Sequence, residues 1–123
     1  MHVLVFREGA GLDANKLTFL YRHLGDREAD LLVCDAMEDL ALALARVGRA
    51  QGRGDLDGVS GQAVVIEQLG ARIGLDKLRR VARDVAACAA RGPGPALDAT
   101  LARLTRVGEV SLSAIWDPLD ARM

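Results

Sequence analysis

The side chains suited to imidazole or thiolate chemistry are His2, His23, Cys34 and Cys88. His23 falls in the last turn before Gly25, where a partly charged imidazole suits the negative end of a helix, so it reads as a surface or capping residue. His2, beside the terminus, carries no functional weight. Cys34 and Cys88 lack any paired spacing and read as small core residues rather than a disulfide. A zinc centre needs four nitrogen or sulfur ligands, and these four residues are scattered along the sequence. Asp35, Glu38 and Asp39 cluster, but no histidine accompanies them three residues on, as a di-iron carboxylate site requires. With no nucleophile–base pair at a recognisable spacing, the chain does not read as an enzyme, and no catalytic residue, cofactor or metal is expected.

Three short patterns imitate ligand loops. Gly52-x-Gly54-x-x-x-Gly58 follows no strand and has the wrong spacing for a dinucleotide. Asp55-Leu-Asp57-Gly58 lacks the further carboxylates of a calcium loop, and Arg53-Gly-Asp55 is a chance tripeptide. Arg79, Arg80 and Arg83 read first as a solvated face and second as a docking surface for an acidic partner.

These residues sit on a chain of 123, half of it apolar but only 3% aromatic. That length supports one domain, 1–123, with a single aliphatic core suited to closely packed helices. Charged residues make up 27% and nearly cancel, to a net −1, which leaves no global field for nucleic acid. The N-terminal apolar run, Val3 to Phe6, is too short for a signal peptide or a membrane span, so a soluble, cytoplasmic protein is expected.

The spacing of apolar residues predicts an all-α chain behind a short strand or extended arm at 1–12, with the strand at Val3 to Phe6. A first short helix runs from Asp13, its cap, to Leu24, and Gly25 stops it. Asp26 caps a long helix to about Ala50, with Leu31, Cys34, Leu40, Leu44 and Val47 inward and Arg27, Glu38, Asp39 and Arg46 on the wetter side. The segment 51–58 reads as a connector. A third helix from Val59 to Ile73 carries Ala63, Ile66, Leu69 and Ile73 on one face. Gly74 breaks it. A fourth helix spans Leu75 to Arg91, with Leu78, Val81, Val85 and Cys88 opposite Arg79, Arg80, Arg83 and Asp84. Gly92-Pro-Gly-Pro95 stops it, and Pro95 suits the first turn of a fifth helix from about Ala96 to Trp116. Leu97, Leu101, Leu104, Val107, Leu112 and Ile115 face inward there, and Asp117-Pro118 ends the helix. Short turns make successive helices antiparallel neighbours, so the expected architecture is an up-down four-helix bundle capped by the short helix.

A capping helix, a long helix, then a helix–Gly–helix centre and a last helix is a layout that resembles histidine phosphotransfer domains over about residues 13 to 116. That family carries a His-x-x-Lys-Gly box on the third helix, followed by small residues and an apolar–Gly ending. Registering the ending on Ile73-Gly74 places the phosphoacceptor at Val64, the lysine at Glu67 and the glycine at Gln68. Ile66 matches the box's apolar position, and Gly70 falls among its small ones. Valine offers no nucleophile. A glutamate at 67 would repel a phosphoryl group, and Gln68 fills the room a receiver domain would close into. The resemblance implies a non-catalytic module that binds a receiver domain or histidine kinase without carrying phosphate. Val64, Glu67, Gln68, Arg72, Arg79 and Arg83 are its candidate partner-binding residues. A second copy is another candidate partner, through the N-terminal strand or the long helix.

Leu69 to Arg80 also resembles a helix-turn-helix with Gly74 at the turn, which would make residues 69–91 a DNA reader. Arg80, however, occupies the place of the second helix's apolar anchor, and the apolar stripe continues past it to Cys88. A net charge of −1 also gives little counterion-release affinity for a duplex.

Overall fold

The computed structural model describes residues 13–115, which form five helices and, within that span, no strand. They are α1 (Ala14–Leu24), α2 (Asp26–Gly52), α3 (Leu56–Ile73), α4 (Asp76–Ala90) and α5 (Pro95–Ile115). The expected strand at Val3 to Phe6, the rest of the 1–12 arm, Trp116 and the Asp117-Pro118 stop lie outside the described residues.

Local chemistry sets each helix end. The Asp13 carboxylate accepts from the Asn15 and Lys16 amides at 3.0 and 3.2 Å, which satisfies two donors of α1's first turn. Gly25, at φ +82°, ends α1 and donates its own amide to the Tyr21 carbonyl at 2.9 Å. The same glycine holds the N-cap place of α2 without a side-chain bond. Asp26 is therefore the first helical residue and not the expected cap; its charge still suits the helix's positive end. Helix α3 starts at Leu56, three residues before the expected Val59. Asp55 is the cause. Its carboxylate accepts from the Gly58 amide at 2.9 Å, turning a stretch that reads as a loop into a capped first turn. Pro95 opens α5, as its fixed φ favours.

The α3–α4 turn does the most to organise the fold. Gly74 sits at φ +81°, and both its amide and that of Leu75 donate back to the Gly70 carbonyl. The Asp13 amide donates to the Gly74 carbonyl at 2.7 Å, so the start of α1 is tied to this turn. A Cβ on Gly74 would lie 3.0 Å from the Lys16 Cβ and 3.1 Å from the Asp13 carbonyl oxygen. Glycine is needed here for its backbone angle and for its size.

The helices share one aliphatic core that runs from Leu17 to Val107. α3 packs against α2 and α4, α5 packs against α4 and α2, and α1 lies on α2. On α3, α4 and α5 the expected inward residues Ala63, Ile66, Leu69, Ile73, Leu78, Val81, Val85, Leu97, Leu101, Leu104 and Val107 are buried. On α2 the expected Leu40 and Val47 are buried, while Leu31, Cys34 and Leu44 are corrections. The helix's buried residues are Ala29, Val33, Ala36, Leu40, Ala43, Val47 and Ala50, whereas Leu31 is 52% exposed and Cys34 and Leu44 are half-buried. Small residues let α2 approach its neighbours closely, so Leu31 and Leu44 are turned aside while Leu40 stays in the core. Gly108 of α5 makes a similar close approach, since a Cβ there would fall 2.7 Å from a Leu44 methyl carbon. Cys34 and Cys88 are both half-buried, and neither forms a disulfide. No helix among the described residues is long and apolar enough to cross a membrane.

Candidate interaction surface

Helix α3 presents three distinct sides. Its buried side holds Val59, Ala63, Ile66 and Ile73 in the core. The side toward α4 carries Glu67, whose Oε1 accepts from Arg83 Nε and pairs with its Nη2, each at 3.1 Å. Nearer the turn, a Cβ on Gly70 would meet the Arg79 Cβ at 3.3 Å and the Leu75 carbonyl oxygen at 3.1 Å. These contacts step down α3 as they step up α4, so the two helices run antiparallel, face to face, on either side of Gly74. Arg79 also pairs with Asp76 at 3.8 Å, one turn away on its own helix.

The outer side of α3 carries Val64, 41% exposed, with Val65, Gln68 and Arg72 beside it. Val65, Gln68, Leu69 and Arg72 form one wall of a groove of about 230 Å³. The other wall is Asp39, Leu42, Ala43 and Arg46 of α2. Its lining mixes aliphatic Leu42, Ala43, Val65 and Leu69 with polar Asp39, Arg46, Gln68 and Arg72. Among the described residues, no carboxylate lies within ion-pair distance of Arg46 or Arg72. Leu42 and Val65 are 46% and 38% exposed, which leaves apolar area for another molecule to cover.

The six residues predicted from the sequence are thus brought together in two groups. Gln68 and Arg72 line the α2–α3 groove, and Val64 stands just outside it. Glu67, Arg83 and Arg79 lie on the α3–α4 side, two of them bonded to each other. Glu67 is therefore not the open repulsive carboxylate that the motif registration suggests; Arg83 offsets its charge. The sequence reading missed Leu42, Asp39 and Arg46 as neighbours of the α3 face. One signal was available, because Ala41-Leu-Ala-Leu-Ala45 holds more apolar residues than one helix face can bury.

His23 stands apart, exposed at the end of α1. Its Nδ1 lies 2.9 Å from the Phe19 carbonyl oxygen, and its ring stacks on Phe19 at 3.9 Å between centroids. A carbonyl can only accept, so Nδ1 donates in this contact. Across the α1–α2 corner the Tyr21 hydroxyl donates to Asp30 Oδ1 at 2.6 Å. Burial, and then this carboxylate, push the Tyr21 phenol well above the ordinary tyrosine range.

Among the described residues, then, the surface offers aliphatic area interleaved with Asp39, Arg46, Gln68 and Arg72, an arrangement suited to recognition. Compared with known proteins, the chain matches no family model, no curated protein and no solved structure.

Proposed function

We propose that this chain is a non-catalytic signalling module, similar in layout to a histidine phosphotransfer domain. It binds a receiver domain or histidine kinase through the outer side of α3 and carries no phosphate. The observation that bears most weight is Val64. It occupies the registered acceptor position, and its side chain points outward, 41% exposed, where a nucleophile would be presented to a partner. Helices α2 to α5 form the up-down bundle of such a domain, with α1 as the cap. The chain order of the packed pairs, α2 with α3, α3 with α4, α4 with α5 and α5 back to α2, supports that architecture.

The chemistry follows from the residues. Phosphoryl transfer from an aspartyl phosphate needs an attacking nitrogen, and an aliphatic side chain supplies none. The Glu67–Arg83 pair beside it is close to neutral, so it neither draws in nor stabilises phosphoryl charge. What remains is a contact surface in which Val64 supplies apolar area and Arg72 a charge for an acidic partner. Placing a carboxylate there with Val64→Asp is expected to weaken a receiver complex about tenfold or more. Titration calorimetry against a panel of receiver domains and kinase dimerisation domains checks this. Binding of a panel member at equal strength by wild type and Val64→Asp would contradict the assigned surface.

A further inference from the structure

The charges along the outer side of α2 are segregated by sign. Asp35, Glu38 and Asp39 precede Leu42, and Arg46 and Arg49 follow it, with Arg53 just past the helix end. All seven are exposed. Residues 31, 35, 38, 42, 46 and 49 recur every three or four positions, so they share one face. On that face Leu31 and Leu42 are 52% and 46% exposed.

A solitary surface helix gains from opposite charges at i, i+3 and i, i+4. This one does the reverse. Asp35 faces Glu38 and Asp39, and Arg49 faces Arg46 and Arg53, so each cluster repels itself. The helix dipole accounts for Asp26 and Glu28 in the first turn and Arg49 in the last. Its influence fades within a turn of each end and does not reach Asp35, Glu38, Asp39 or Arg46. Arg53 has a local partner in Asp55 at 3.8 Å, but no ion pair forms to the others among the described residues.

We propose that this face of α2 is a self-complementary interface at which a second copy of the chain packs antiparallel about a two-fold axis at Leu42. In that register Leu42 meets Leu42 of the partner subunit. Glu38 faces Arg46 of the partner subunit, Asp35 faces Arg49 of the partner subunit, and symmetry repeats both pairs. Each like-charged cluster then lies against its opposite, and the exposed Leu42 is covered. Such a two-fold, isologous contact is the commonest way for a soluble chain to pair with itself. The dimer takes up the α2 wall of the groove whose other wall holds Arg72, while Val64 stands outside it; the inference rests on the α2 charges and not on what α3 binds.

Sedimentation equilibrium in low salt tests it on the full chain. Wild type is expected to sediment as a dimer at micromolar concentration. Glu38→Arg and Arg46→Glu, each alone, set like charges against each other twice and should weaken the dimer about tenfold or more. An equimolar mixture of the two variants restores both pairs in a heterodimer and should recover the dimer mass, which also shows that each variant is folded. Monomeric wild type, single variants that dimerise as well as wild type, or a mixture that stays monomeric would each overturn the proposal.

Discussion

Tyr21 is the only tyrosine in the chain, so its ionisation can be followed alone by absorbance. Burial, reinforced by Asp30, raises its pKa in the folded protein above the unfolded value near 10. The associated stability is fully present below about pH 10 and is lost as pH rises through the folded-state value. Denaturation midpoints should accordingly fall above about pH 10, and Tyr21→Phe should flatten that fall while costing about 1 kcal/mol for the lost hydrogen bond. A Tyr21→Phe profile that parallels wild type above pH 10 would refute this assignment. Glu67→Gln is expected to cost no more than about 1 kcal/mol, because its partner Arg83 is largely solvent-exposed. Chemical denaturation measures that difference. At this scale the sequence was partly legible. Val64 and Gln68 fall on the outer side of α3 as their spacing predicts, but the Glu67–Arg83 pair does not follow from either residue alone. It depends on how two helices are registered across the Gly74 turn.

Turn chemistry predicts which elements are sensitive. Gly74→Ala forces a Cβ into a left-handed backbone and against Lys16 and Asp13, so it should cost about 2 kcal/mol or more and loosen α1 first. Hydrogen exchange of the α1 amides and urea denaturation report the two effects. Gly108→Ala is a contrasting case. The three atoms nearest its Cβ all belong to the Leu44 side chain, which can rotate away, and alanine favours a helix over glycine by about 1 kcal/mol. The net change should lie within about 1 kcal/mol of zero; a loss comparable to that of Gly74→Ala would mean that Leu44 is held rigidly. Most of the elements were readable because Gly25, Gly74 and Pro95 punctuate strongly periodic runs. The early start of α3 was hidden because Asp55 and Gly58 look like loop residues until the cap bond is seen. The face of α2 was misjudged for a different reason. Where alanine suits close packing, leucine spacing marks the inward side only in part: Leu40 is buried, but Leu31 is not.

For the molecule as a whole, near-neutral net charge conceals strong local order, with sign segregation along α2 and a groove of mixed aliphatic and charged lining. Neither composition nor apolar periodicity exposes such patterns, because both average over faces that only packing separates. Ile66, fully enclosed among α3's neighbours, sets the scale of the core; Ile66→Ala should cost about 2–5 kcal/mol in denaturant titrations. The central functional claim is recognition without phosphate transfer. It is tested most directly by incubating the chain with a receiver domain carrying a radiolabelled aspartyl phosphate, then measuring acid-labile, base-stable label on the chain. No such label is expected. Label on the chain, at His23 or elsewhere, would contradict it.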